Sequence, residues 1–206
     1  MPDNNTNWAL TQDSFISGKQ ALAWEGLFTQ GSGYLHIRGS LEESLEDSPQ
    51  NIEYTRDAMN VSVEKFVDQS TKWGTYIPGV YSPHPVFIYQ ITNMPFCLGI
   101  DLYIDGEKLD PVSSGIQDFR RELDLKTALL TREMVWETKS GPDLILKYRR
   151  FIDVVKEKLV IQQVSIIPDS DIELEVKAGI DTDIRTNGYD HFTETCLLYT
   201  SPSPRD

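Results

Sequence analysis

Apolar and polar positions alternate through most of the second half of the chain, and the alternation has a period of two. Leu130 to Thr138 sets Met134 and Trp136 against Glu133, Val135 and Glu137. Lys139-Ser140-Gly141-Pro142 then turns the chain, and Leu144 to Ile152 sets Leu144, Leu146 and Tyr148 against Ile145, Lys147 and Arg149. Leu159 to Ile167 follows and ends at Pro168-Asp169-Ser170. In Ile172 to Ile180, Ile172, Leu174, Val176, Ala178 and Ile180 alternate with Glu173, Glu175, Lys177 and Gly179. Such a period buries one face of a strand and wets the other. Four runs joined by short turns predict an antiparallel meander, and a sheet of that size must stack on another to cover its apolar face.

The first half is less regular. Tyr34 to Arg38 alternates between Gly31-Ser32-Gly33 and Gly39. Leu98 to Ile104 runs into Asp105-Gly106 and then Glu107 to Leu109, a strong hairpin signal because both turn positions need positive φ. Asn60 to Val67 reads as a short helix or a strand, with Val61, Val63 and Val67 favouring strand. Helix signals are weak elsewhere. The segment from Gly115 to Lys126 is polar and reads as a loop crossing the sandwich, and Trp73 to Tyr81 as a Gly/Pro-rich loop.

The chain has 206 residues, enough for one large all-β domain with its own core. Its net charge of -13 repels phosphate backbones and anionic lipid heads, which argues against nucleic-acid and membrane-surface binding. The start is polar with no basic-then-apolar leader, and no apolar run approaches the roughly 20 residues of a membrane span; the expected setting is the cytoplasm. Cys97 and Cys196 are too few for a disulfide scaffold, and Cys97 reads as a small packed hydrophobe in the run from Met94 to Ile100.

Candidate chemistry is sparse. His36, His84 and His191 lie far apart, with no Cys or carboxylate at zinc-ligand spacing, and read as structural or surface residues. Gly31-Ser32-Gly33 lacks the Gly-Lys-Ser/Thr of a phosphate loop and reads as a tight entry into the next strand. Among the carboxylates, Glu42-Glu43 and Asp101/Asp105 read as solvated faces or turn residues, and no spacing nominates a glycosidase pair. His36 with Glu42 is the one near candidate for sugar-ring proton transfer. Trp8, Trp24, Trp73, Tyr76, Tyr81 and Tyr89 could stack on sugar rings or fill the core; Trp136, on an alternating strand, reads as core. No metal, cofactor or catalytic residue is assigned.

An ordered series of motifs goes further. Trp24 to Glu43 reads WEGLFTQGSGYLHIRGSLEE, which resembles the opening signature of glycoside hydrolase family 65, roughly E-x-L-F-x-x-G-N-G-Y-L-G-x-R-G-x-x-E-E. Gly74 to Tyr81, Asn93-Met94-Pro95, Ile104 to Glu107, Phe119 to Leu125 with Thr131-Arg132, Tyr148 to Phe151 and Gly179-Ile180-Asp181 then fall in the family's order. Ser32 stands where that signature has Asn, and His36 where it has Gly. The resemblance implies an antiparallel two-sheet super-sandwich similar to galactose mutarotase, followed in the family by an (α/α)6 barrel. It implies a parent enzyme that cleaves α-glucosidic disaccharides. A Glu on the barrel serves as general acid, and inorganic phosphate or activated water attacks the anomeric carbon. It also implies a homodimeric parent and a sandwich that is inactive alone. The rival expectations are a free-standing carbohydrate-binding module and a mutarotase-like enzyme.

The last eleven residues, CLLYTSPSPRD, break the strand rhythm. They resemble the translation of a transposase adapter used in sequencing libraries. The expected organisation is a sandwich domain over 1–195, incomplete at its C-terminal end, and a non-native tail over 196–206.

Overall fold

The computed structural model describes residues 8–43, 74–84, 88–182 and 184. The segments Asn60 to Val67 and 196–206, together with Trp73 and His191, lie outside them. Twelve strands and one helix are described: β1 (Ala9–Gln12), α1 (Lys19–Leu27), β2 (Gln30–Gly31), β3 (His36–Ile37), β4 (Thr75–His84), β5 (Ile88–Asn93), β6 (Phe96–Ile104), β7 (Glu107–Lys108), β8 (Gly115–Asp124), β9 (Leu129–Glu137), β10 (Asp143–Ile152), β11 (Val160–Pro168) and β12 (Leu174–Asp181). The described chain is an antiparallel β-sandwich. One layer is a five-stranded sheet in the order β1-β8-β9-β10-β11; facing it are a three-stranded sheet, β12-β6-β7, and a four-stranded sheet, β2-β3-β4-β5.

Alternation builds the core as the sequence predicts. Met134 and Trp136 from β9, with Leu144, Leu146 and Tyr148 from β10, point inward against Leu102 and Ile104 of β6 and the following Leu109. Trp136 is fully buried. A second cluster joins Ile37 of β3, Phe96 and Leu98 of β6, Ile152 of β10 and Ile184. The Asp105-Gly106 hairpin forms with φ of 49° and 79°, the positive pair its turn demands.

Four expectations are corrected. The segment from Gly115 is the strand β8, not a loop. Its outward residues are polar, and a bulge between Gln117 and Arg120, with Asp118 at φ 51°, breaks the rhythm that would have revealed it. The Gly/Pro-rich stretch from Gly74 is largely the strand β4, and its register slips between Tyr76 and Tyr81. β9, β10 and β11 form a meander, but β12 leaves it and pairs with β6 from Leu174↔Ile104 to Asp181↔Phe96. Only Ile172 and Leu174 of that run pack on the main core, while Val176 and Ile180 are exposed. Cys97 is exposed too, because its neighbours Phe96 and Leu98 on β6 take the inward parity.

The helix α1 carries no clear apolar stripe in sequence. It starts after Gly18 at φ 66°, Trp24 stacks on Phe28 with ring centroids 5.8 Å apart, and Phe28 seals a third cluster with Leu123 of β8 and Leu130 of β9.

Candidate functional site: a buried guanidinium–carboxylate cluster

The densest chemistry among the described residues lies between the sheets. Arg121 on β8, Arg132 on β9 and Arg150 on β10 share the inward parity of Phe119, Met134 and Tyr148, and all three are buried. The loop after β3 carries Arg38, Gly39, Ser40 and the Glu42-Glu43 pair across them. Gly39 N–H donates to the Glu25 carbonyl at 2.8 Å, which ties this loop to α1.

Arg132 is the centre. Its Nη1 donates to Glu43 Oε2 at 2.8 Å and its Nη2 to Glu43 Oε1 at 2.6 Å, a bidentate fork, while Nη2 also reaches Glu42 Oε2 at 2.8 Å. The same guanidinium lies over the Tyr148 ring, 3.8 Å from its centroid. Arg150 donates to Glu42 Oε1 at 3.3 Å, to Gln30 Oε1 at 3.2 Å and to the carbonyls of Ser40 and Arg38 at 3.2 and 2.9 Å. Arg121 donates to the Gly39 carbonyl and sits over the Phe28 ring, 4.7 Å from its centroid. Arg38 pairs with Glu25 at 3.3 Å.

Burial and charge act in opposite directions here. Burial disfavours the Arg132 cation, but the Glu43 and Glu42 carboxylates outweigh it and raise its pKa above the usual guanidinium value. Burial, with the Arg150 and Arg132 charges beside it, pushes Arg121 down to about 9. Burial also raises Glu25 against the pull of Arg38, and burial and the nearby Glu43 carboxylate raise Tyr148.

Glu42 and Glu43, read from sequence as solvated, are therefore almost fully enclosed; Arg132 and Arg150 on the opposing sheet supply the ion pairs that let them stay there. The legible signal was parity: Arg132 lies between Leu130 and Met134 on the inward face, and Arg150 between Tyr148 and Ile152. The cluster holds carboxylates by ion pairing in a closed interior, an arrangement suited to locking two sheets together.

Other candidates are scattered. His36 is half-buried in β3, opposite Gly31 and Tyr76, while both Glu42 oxygens engage arginines, so the paired His36–Glu42 chemistry has no support. His84 ends β4. Asp101 pairs with Lys108 at 3.3 Å, and Asp105 occupies the hairpin turn. Trp8 is half-exposed beside Lys126, and Trp24, on α1, stacks on Phe28. Tyr76 is half-buried, and Tyr81 and Tyr89 stand exposed on β4 and β5. Gly31-Ser32-Gly33 forms a tight turn: Ser32 N–H donates to the Leu35 carbonyl at 3.0 Å, with Gly33 at φ 89°. Among the described residues no group of three or more His, Cys, Asp or Glu could hold a metal ion, and no helix is long and apolar enough to cross a membrane.

Glu25, Arg38 to Ser40, Glu42, Glu43, Arg121, Arg132, Tyr148 and Arg150, drawn from four of the sequence motifs, thus converge on one interior network of a β-sandwich. Residues 10–198 match the family model "Glycosyl hydrolase family 65, N-terminal domain", and the chain belongs to that family. It is 29% identical over 174 residues to kojibiose phosphorylase of Escherichia coli (strain K12), covering 84% of this chain and 20% of that enzyme. It is 29% identical over 170 residues to 3-O-alpha-D-glucosyl-L-rhamnose phosphorylase of Lachnoclostridium phytofermentans, covering 79% of this chain and 22% of that one. A solved structure described as "Putative kojibiose phosphorylase from human microbiome" superposes with a TM-score of 0.72 at 19% identity, over 90% of this chain and 23% of that one, and shows the same fold. The chain spans about a fifth of the length of the curated relatives it matches.

Proposed function

We propose that this chain is the sandwich domain of an enzyme that cleaves an α-glucosidic disaccharide by inverting phosphorolysis. In that reaction a phosphate oxygen attacks the anomeric carbon, the glycosidic C–O bond breaks, and a carboxylic acid outside this chain protonates the departing oxygen. The products are β-glucose 1-phosphate and the second sugar. The observation that carries this reading is the family match over residues 10–198 together with relatives named as kojibiose, maltose, trehalose and nigerose phosphorylases. Inorganic phosphate is the co-substrate in this reading, and hydrolysis by water is its rival within the family.

The domain's own part is structural. Its buried carboxylates are engaged by arginines, which leaves them no room to act on a sugar. The test compares the chain with its full-length parent on kojibiose, maltose, nigerose and trehalose, with and without phosphate. The parent is expected to form glucose 1-phosphate only with phosphate present, and the chain alone to form nothing. Turnover by the chain alone would sink the proposal; phosphate-independent glucose release by the parent would establish the hydrolase reading instead.

Sugar contact by the β4–β5 hairpin is a second reading, favoured by the exposure of Tyr81 and Tyr89, 63% and 66%. Saturable calorimetric binding of a glucobiose, lost in Tyr81→Ala, would establish it.

A further inference from the structure

We infer that the outer face of the β6–β12 pair carries a binding site for a single neutral sugar ring. Leu98, Leu102 and Ile104 are the inward positions of β6 and pack in the two larger cores. Gly99, Asp101 and Tyr103 take the opposite parity and face away from them. Across the ladder, Gly179 stands opposite Gly99 and Lys177 opposite Asp101. These four residues, with Ile180 and Asp181, line a cavity of about 290 Å³. That volume lies close to the lower end of the range for small-molecule pockets.

Two facing glycines leave the middle of this cavity bare. A Cβ at Gly179 would meet nothing within 4 Å, and one at Gly99 only the Gly179 carbonyl oxygen at 3.4 Å. Neither glycine has a positive φ. Packing and backbone conformation therefore admit a side chain at both positions, and glycine weakens a strand. Glycine inside a strand also marks a place where a ligand approaches the backbone closely. The register slips beside them, between the Gly179↔Gly99 and Asp181↔Phe96 pairs, and bulges of this kind occur at sheet edges and next to active sites.

The walls suit hydroxyl groups. Asp101 pairs with Lys108 at 3.3 Å, and a carboxylate offers about four acceptor positions, more than one ion pair uses. Lys177 pairs with Glu175 at 3.3 Å and lies over the Tyr103 ring, 4.2 Å from its centroid; its ammonium has three donors. Hydroxyls donate to the carboxylates of Asp101 and Asp181 and accept from Lys177, each a charge-assisted bond. No surplus of positive charge lines the cavity, so it does not suit phosphate. A flat ring fits the bare glycine floor. The choice of a sugar among hydroxyl-rich ligands rests on the α-glucosidic reading above.

The test titrates glucose into the isotope-labelled 206-residue chain and follows its amide resonances. Saturable shifts are expected at Gly99, Asp101, Lys177 and Gly179. Gly179→Val, whose Cβ meets no neighbour, is expected to keep the fold and weaken glucose binding at least about tenfold by filling the floor. Asp101→Asn, which keeps the shape and removes the charged acceptor, is expected to weaken it by a similar factor. Tyr81→Ala should leave the shifts as they are. The absence of saturable shifts, shifts centred on Tyr81 and Tyr89, or binding unchanged in both Gly179→Val and Asp101→Asn would overturn the proposal. Glucose 1-phosphate formation by the full-length parent is read separately. A parent that forms it beside a chain that shows no shifts would sink this site and leave the proposed reaction standing.

Discussion

Arg132 clasps both oxygens of Glu43, a residue 89 positions earlier in the chain, at 2.8 and 2.6 Å. The pair is buried on both sides, and it ties the loop after β3 to the middle of the five-stranded sheet. Removing the cation alone would strand the Glu43 carboxylate in the interior and leave Glu42 to Arg150. Arg132→Leu is expected to cost about 3–5 kcal/mol of stability, the usual penalty for breaking a buried pair. Arg132→Leu combined with Glu43→Leu should recover part of that loss. Urea unfolding midpoints of the two variants check this; a single substitution costing under about 1 kcal/mol would contradict the buried network.

Gly39 is constrained by space rather than by φ. A Cβ there would stand 2.4 Å from Phe28 Cβ and 3.1 Å from the Glu25 carbonyl oxygen. Gly39→Ala is therefore expected to destabilise by about 1–3 kcal/mol through overpacking. Gly26, within α1, has nothing within 4 Å of the same position. Gly26→Ala should stabilise by about 0.5–1 kcal/mol. Opposite signs in denaturant unfolding are the expected outcome.

Glu25 carries a pH signature. Burial raises its pKa above the ordinary glutamate value of 4.5 despite Arg38. The native state therefore holds this proton more tightly than the unfolded chain does, and the associated stability is present below 4.5 and lost as pH rises through the native value. Relative to Glu25→Gln, the unsubstituted chain should lose stability as pH climbs from 4.5 towards neutrality. Unfolding free energies of both proteins across that range give the comparison; a flat difference would show that Arg38 fully offsets the burial.

β12 is the outer strand of its sheet among the described residues, and Val176 and Ile180 on it are 52% and 57% exposed. An open edge with apolar side chains favours association between chains. Val176→Lys with Ile180→Lys should reduce sedimenting oligomers of the isolated chain. Its unfolding free energy should change by no more than about 0.5 kcal/mol per site, as is usual for exposed positions.

Several parts of this structure were legible because they rest on neighbours in sequence. The alternation in β9 and β10 set which side chains face inward, and Asp105-Gly106 announced its hairpin, since these depend on local backbone geometry. β8 was obscured because a bulge at Asp118 shifts the parity midway, and because Arg121 on its inward face looks like a surface residue. Exposure of Cys97 followed from a parity that a continuous apolar run conceals.

The sequence alone determined that this would be an antiparallel β protein, which residues on the regular strands could be buried, and to which family its ordered motifs point. Period-two alternation and turn chemistry act over a few residues and need no partner. Only the tertiary structure decided that β12 would join β6 rather than β11, and that Glu42 and Glu43 would be interior ions. Both outcomes depend on what stands opposite. An edge strand pairs with whichever free backbone the fold presents to it, and a carboxylate stays charged in a core only where a guanidinium from a distant strand meets it there.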